Sequence, residues 1–252
     1  MLELNRQNRP VVQRRLITGM AHSEAEVYEA QRLRYKVFAE EMGANLPGAS
    51  EGIDCDIFDK YCEHLLVRET AGNKVVGTYR ILSPAQAEKI GGYYAQTEFD
   101  LTRLLHLSDR MVEVGRSCVH RDYRDGATIA QLWGGLAQYM QQSGHEYLIG
   151  CASIGMADGG HVAASIYRKL HRIYSAPTEY SVFPRCPLPL PALNQYLDAP
   201  IPPLIKGYLR LGAYICGEPA WDPDFNTADL LILLPMSRLS SRYAKHFLKH
   251  GS

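Results

Sequence analysis

Three clusters in this sequence combine residue types and spacing that can do chemistry. The densest is Glu113-Val-Gly-Arg116. A glutamate flanked by Val112 and Val114 is at least partly buried, and a buried carboxylate must be paired or protonated; Arg116 and Arg80 are the candidate partners. Residues three apart on a strand point to opposite faces, so a bulge or splay is needed before both groups can serve one cavity. A catalytic pair and a structural ion pair both fit this pattern. The second cluster is Tyr123-Arg-Asp-Gly126-Ala-Thr128, at a junction between strand and helix. Glycine there lets backbone approach a ligand, and a helix N-terminus attracts phosphate, though a plain turn has the same composition. The third is a set of small residues on two neighbouring strands: Gly115, Ser117 and Cys118 on one, Gly150, Cys151, Ala152 and Ser153 on the other. They leave room for a linear acyl or pantetheine chain, or else allow close packing of helix on sheet.

His120 and Asp125, with four residues between them, have the spacing of a histidine base oriented by an aspartate, as in glycerolipid acyltransferases. No second motif of that family accompanies them, and the pair is set aside.

The elements that must position these groups follow from periodicity and punctuation. Leu16–Ala21 reads as a strand, and Ser23 with Glu26 makes a capping box for a helix carrying Val27, Ala30, Arg34 and Val37–Phe38 on its inner face up to Gly43. Residues 44–58 read as a loop. Glu63–Glu69 and Lys74–Leu82 form a hairpin about Ala71-Gly72-Asn73, and Pro84–Leu107 is irregular with short helical pieces. Strand Met111–His120, helix Ala127–Ser143, strand Tyr147–Ile154 and helix His161–Arg172 follow. Seven prolines between 184 and 203 disfavour a helix or central strand there, and the stretch reads as a linker wrapping the surface. Beyond them, Leu204–Leu211 reads as helix, Ala213–Cys216 and Ala228–Leu234 as strands, and Met236–His250 as a helix. The order is that of a mixed α/β (α+β) layout around one sheet. On the last helix Arg238, Arg242, Lys245 and Lys249 share a narrow face, a candidate docking stripe for an acidic carrier protein or a membrane surface, or a plain solvated face.

Composition narrows the class. The 252 residues are 46% hydrophobic and 21% charged, as expected of a globular enzyme, and Lys+Arg equals Asp+Glu at 27 each, which argues against a nucleic-acid binder. Cys55, Cys62, Cys118, Cys151, Cys186 and Cys216 include no C-x-x-C pair, so reduced thiols and no metal site are expected. Arg6, Arg9, Arg14 and Arg15 are followed by no apolar segment of a signal peptide, and the apolar run Leu230–Leu234 is far too short to span a bilayer. A cytoplasmic location is expected, with peripheral contact at the inner face of the cytoplasmic membrane as an option.

Four spaced pieces, Arg34-Tyr-Lys-Val-Phe38, Asp56-Ile-Phe-Asp59, Gly77-Thr-Tyr-Arg80 and Glu113-Val-Gly-Arg116, resemble the autoinducer (acyl-homoserine-lactone) synthase branch of the GNAT-like acyltransferases. The tryptophan of that branch is missing near Met42–Ala44. The remainder, above all the stretch from Pro202 to Asp222, resembles the ornithine-lipid N-acyltransferases. That resemblance implies a GNAT-like fold with a mixed central sheet flanked by helices: a core over 1–183, a Pro-rich linker over 184–203 and a C-terminal strand/helix extension over 204–252 packing on the core. It implies transfer of a (3-hydroxy)fatty acyl group from acyl carrier protein to the α-amine of ornithine, giving lyso-ornithine lipid. The donor is the carrier's acyl-phosphopantetheine, and no cofactor is permanently bound. It further implies catalytic roles for Glu113 and Arg116, with Glu113 as general base. Ser117, Cys118, Val119, Arg124, Asp125, Gly126, Ala127 and Thr128 would contact the donor, and Arg34, Phe38, Asp56, Asp59 and Arg80 the acceptor. The acyl-CoA phosphate loop is altered, since Tyr123 stands where Gln/Arg belongs, which suits a donor with one phosphate. Alternatives kept open are a homoserine-lactone synthase using S-adenosylmethionine, acylation of another amino acid such as glycine, and a non-catalytic carrier-protein or lipid-surface binding module.

Overall fold

The computed structural model describes residues 15–239 of the chain. The strands are β1 (Leu16–Met20), β2 (Glu63–Glu69), β3 (Lys74–Leu82), β4 (Phe99–Asp100), β5 (Met111–Val119), β6 (Tyr147–Gly155), β7 (Phe183–Pro184), β8 (Tyr214–Ile215), β9 (Ala220–Asp222) and β10 (Thr227–Pro235). The helices are α1 (Glu24–Tyr35), α2 (Pro84–Ile90), α3 (Ala127–Ser143), α4 (His161–Tyr174) and α5 (Pro203–Leu211). One sheet runs β1-β2-β3-β5-β6-β10-β8, with β9 also on β10; β4 and β7 pair separately. All its neighbours are antiparallel except β5 and β6.

Strand registers sort side chains to two faces. On one face Val112, Val114, Leu148, Ala152, Leu230 and Ile232 pack with buried residues of α3, α4 and α5 such as Leu132, Ile166 and Leu209. Burying each of the valine, leucine and isoleucine side chains is worth about 1.5–3 kcal/mol. The other face turns Leu82, Ile149, Leu231 and Leu233 toward Ala87, Tyr93, Phe99 and Leu104. These come from α2, from Tyr93 at the cap of the 3-10 turn Tyr94–Thr97, from β4 and from the 3-10 segment Thr102–Arg110. The stretch read as irregular with short helical pieces is therefore the lid of that face, built from α2, 3-10 segments and the short strand β4.

Several local expectations meet a more detailed structure. Ser23 Oγ accepts the Glu26 N–H at 3.3 Å, but Glu26 reaches back to the His22 N–H at 2.7 Å, one residue before the cap. The first helix passes at Lys36 into a wide π turn ending at Glu41. Residues 204–239, expected to form an extension on the core, contribute β10 to the sheet interior, paired with β6 from Thr227↔Gly155 to Pro235↔Tyr147. Its nine residues are all buried, as a strand covered on both faces requires. Within the proline-rich stretch, Phe183–Pro184 pairs with Phe99–Asp100, and Leu188 and Leu190 are buried in the helix-side core. Among the described residues no helix is long and apolar enough to cross a membrane. Met236–Arg238 is a 3-10 turn; the rest of the expected terminal helix, with Arg242, Lys245 and Lys249, lies outside the described residues.

Candidate active site

The site begins at a break in β5. Between the pairs Thr78↔Cys118 and Arg80↔Gly115, one residue of β3 faces two of β5, and Arg116 there has φ +50°. The extra residue is a β-bulge. It cancels the half-period that would send Glu113 and Arg116 to opposite faces, so both line one cavity of about 580 Å³.

Glu113 is 5% exposed, and its carboxylate is held by backbone rather than arginine. The Tyr94 N–H donates to Oε2 at 2.6 Å and the Ala95 N–H to Oε1 at 2.7 Å. The side chain thus caps the turn Tyr94–Thr97 from a neighbouring strand. Burial pushes its carboxyl up to about 7, against the pull of those two donors and of Arg80 and Arg116.

The arginines find other partners. Arg34, fully buried, donates through Nε to Asp54 Oδ2 at 2.8 Å and through Nη1 to Asp59 Oδ1 at 2.7 Å. Arg80 Nη1 meets Asp56 Oδ1 at 2.7 Å and Asp59 Oδ2 at 3.1 Å. Arg116 reaches Asp54 Oδ2 and Asp56 Oδ2, each at 3.1 Å. Three cations and three anions therefore close a neutral network. Burial would raise the Asp59 carboxyl, but Arg34 and Arg80 hold it well below the usual carboxylate range. Arg116 is stacked between the rings of Phe225 (4.6 Å) and Tyr94 (4.9 Å), which fixes its plane at the cavity wall.

A second charged group lines the same cavity with no cation in it. Glu98, Asp222 and Asp229 each offer a carboxylate oxygen, and these oxygens all lie within 4.8 Å of one another. Burial, then Asp229 and Asp222, push the Glu98 carboxyl up to about 9; burial in the main raises Asp229 to about 6.

Between its two ends the cavity passes through a split in the sheet. Parallel pairing of β5 with β6 stops at Glu113↔Ile149. A Cβ on Gly150 would lie 2.4 Å from the Val114 carbonyl oxygen, so only glycine allows the two strands their approach where they part. Past that point both small-residue sets line the cavity, and Ile129, Leu148, Leu204 and Ile232 form its apolar end. The Cys118 thiol is pushed up to about 12 by burial, and that of Cys151 also well up, so neither is a thiolate near neutrality.

Of the expected acceptor residues, Phe38 and Arg80 line the cavity, while Arg34, Asp56 and Asp59 do not. Of the expected donor residues, Ser117, Cys118, Val119, Arg124 and Gly126 line it, and Asp125, Ala127 and Thr128 do not. Asp125 Oδ1 accepts the Ala127 N–H at 3.0 Å, and Thr128 is buried against β3, where a Cβ on Gly77 would lie 2.6 Å from its methyl. Arg124 is tied to Glu41 at 2.8 Å and to the Val119 carbonyl. Gly126 has φ +95° at the N-cap of α3, a conformation that favours glycine. His120 turns Nε2 toward Lys74 Nζ (3.0 Å) and Lys36 Nζ (3.4 Å), and Nδ1 accepts the Asp122 N–H, so it makes no dyad with Asp125. Arg238 donates to the Gly212 carbonyl and to the Tyr214 hydroxyl and lies over the Tyr214 ring, folded onto the protein.

Sequence reasoning missed Asp54, Glu98, Asp222 and Asp229. Asp229 had a usable signal, being the lone charge in the apolar strand that fills β10. Glu98 had none, because its place depends on how the 84–110 lid folds over the sheet.

A mixed sheet split between two parallel strands, with a cavity that is charged at one end and apolar at the other, is the architecture of a GNAT-like acyltransferase. Residues 33–134 match the family described as acetyltransferase (GNAT) domain. Among solved structures, an N-acyl amino acid synthase from uncultured soil microbes aligns with a TM-score of 0.55 at 12% identity, over 90% of this chain and 93% of that one. A CoA-dependent acyl-homoserine lactone synthase aligns at 0.54 and 15% identity, over 93% and 89%. At these identities the likeness is one of fold. Sequence relatives go further. The L-ornithine N(alpha)-acyltransferase of Brucella abortus (strain 2308) is 38% identical over 249 residues, covering 90% of this chain and 87% of that protein. That of Rhizobium meliloti (strain 1021) is 39% identical over 250 residues, covering 92% and 84%. The chain belongs to the L-ornithine N(alpha)-acyltransferase family and is an acyltransferase.

Proposed function

We propose that this protein transfers a (3-hydroxy)fatty acyl group from acyl carrier protein to the α-amine of ornithine, giving lyso-ornithine lipid. The observation that carries the reading is 38% identity, over 90% of this chain, to a relative named for ornithine acylation, and the two-ended cavity supports it. The apolar end suits an acyl chain and the charged end an amino acid. Tyr123 in place of the acyl-CoA loop residue, with a single helix N-terminus behind Gly126, suits a donor bearing one phosphate.

The transfer is direct. The acceptor's α-ammonium must lose a proton before it attacks, and Glu113, poised near 7, takes it through a water. The amine then forms the C–N bond at the thioester carbonyl, whose developing negative charge is met by backbone N–H groups near Ser117–Val119. The C–S bond breaks, and a second proton passes from the nitrogen to the departing phosphopantetheine sulfur. High thiol pKa values at Cys118 and Cys151 give no support to an acyl-cysteine intermediate. Arg80 and Arg116, at the cavity wall, would receive the acceptor carboxylate. A cytoplasmic location, with peripheral contact at the inner face of the cytoplasmic membrane as an option, goes with this reading. Mass spectrometry of products from acyl carrier protein thioester offered with ornithine, glycine or S-adenosylmethionine tests the reading. Acyl-ornithine is expected; acyl-glycine or acyl-homoserine lactone in its place would overturn it.

A further inference from the structure

The two aspartates expected to meet the acceptor's ammonium groups, Asp56 and Asp59, are not available for that task, because they and Asp54 are committed to Arg34, Arg80 and Arg116. An amino acid with a basic side chain brings three charges into the cavity. Its carboxylate has the guanidinium wall and its α-amine has Glu113, which leaves the second ammonium without a counterpart. We infer that Glu98, Asp222 and Asp229, with Thr227 beside them, form the subsite for the acceptor's side-chain ammonium and so select a cationic amino acid over a neutral one.

Strand register supports this placement. Asp229 pairs with Ser153, Thr227 with Gly155 on one side and Asp222 on the other, and Glu113 with Ile149. Alternation along β6 and β10 then puts Asp222, Thr227, Asp229 and Glu113 on one face of the sheet. All four line the cavity, and Glu98 joins them from the lid. The size fits as well. The three carboxylates offer oxygens within 4.8 Å of one another, close enough for one ammonium, which has three donors, to reach more than one of them at once.

The cluster's neighbours point to an absent donor. Thr227 is 1% exposed and its hydroxyl has no hydrogen-bond partner. Asp229 is 3% exposed with Oδ1 unpartnered, and Glu98 Oε2 is unpartnered too. Buried polar atoms are normally satisfied, and an orphaned hydroxyl beside two orphaned carboxyl oxygens, all at one cavity, is what a bound ammonium would satisfy. The raised Glu98 and Asp229 carboxyls agree, since like charges held together without a cation retain protons.

The inference rests on the proposed function, and the test separates the two. Ornithine and norvaline, which lacks only the δ-amino group, are compared as acceptors for the wild type, Asp229→Asn and Glu98→Gln, with circular dichroism to verify folding. Ornithine binding without turnover is measured by calorimetry. Wild type should favour ornithine by at least about 100-fold in kcat/KM, as sites built around a polar group do. Each variant should cut that ratio at least tenfold, chiefly through the ornithine KM, with norvaline within about twofold of wild type. If ornithine is acylated and both folded variants keep the wild-type ratio, or lose both substrates alike, the subsite is overturned and the proposed function stands. If ornithine binds at least tenfold more weakly to the variants but is never acylated, the subsite stands and the proposed function falls. Absence of ornithine binding and turnover overturns both. Displacement of ornithine by Mg²⁺ or Ca²⁺ that depends on Asp229 would reassign the cluster to a metal.

Discussion

Two groups of buried charge meet at one cavity and are built on opposite plans. Behind the wall, Arg34, Arg80 and Arg116 are matched by Asp54, Asp56 and Asp59, joined at 2.7 to 3.1 Å. On the far side Glu98, Asp222 and Asp229 stand together with unpartnered oxygens and no cation among the described side chains of the group. In the closed network every carboxylate already holds a guanidinium. Its worth lies in fixing the positions of α1, the 54–59 loop and β5 relative to one another, and its weakness is that no member can be removed alone. An open cluster is the reverse, a standing cost in the empty protein that a ligand can relieve.

The largest effect should come from cutting the closed network. Arg34→Met leaves Asp54 and Asp59 buried without their main partner, and a loss of about 3–5 kcal/mol is expected in urea unfolding. A midpoint close to wild type would show the network to be as dispensable as a surface pair. Next is Glu113→Gln, expected to lower turnover at least tenfold through loss of the base. Its amide NH₂ would also face the Tyr94 or Ala95 N–H, so a stability loss of about 1–3 kcal/mol should accompany it. In the wild type, kcat/KM should fall as pH drops below about 7. The stability term has the opposite sense: because the folded value is raised, Glu113's contribution is full below the unfolded value of 4.5 and is lost as pH rises through about 7. Wild-type activity of the Gln variant between pH 6 and 9 would leave Glu113 as a cap for the lid and nothing more.

Gly126→Val should be milder, weakening use of the carrier-protein donor several-fold with little change for the acceptor. A Cβ there meets nothing within 4 Å, so the cost is backbone strain at φ +95° rather than a clash, about 1–3 kcal/mol. Equal donor KM values in a folded variant would remove this loop from the site. The smallest effect has the opposite sign. Asp229→Asn relieves like-charge repulsion and should raise Tm by about 2–4 °C at pH 8. Since the folded values of Asp229 and Glu98 are raised, their protonated forms favour the fold, and stability declines as pH rises through about 6 and then about 9. The gain should therefore fade by pH 5. Destabilisation at pH 8 would mean that the cluster belongs with the closed network after all.

Much of this was written in local sequence. Two runs flanking the turn residues Ala71-Gly72-Asn73 marked β2 and β3 at their observed bounds, and Ala127–Ser143 was legible as α3, because a hairpin turn and a single helix are set by residues near in sequence. The sequence also required that Glu113 and Arg116 need a bulge to share a cavity, since strand parity is a property of spacing alone. It did not determine where that bulge lay or which partners the charges chose. Asp54 and Asp59 engage Arg34 across 20 and 25 residues, and Glu113 engages backbone N–H groups 18 and 19 residues before it. Nor did it bring Glu98 to Asp229 from the lid and the strand most distant in sequence. Spacing encodes which way a side chain leaves its own element. Which charge it meets depends on packing between elements far apart in the chain, and only the folded sheet decides that.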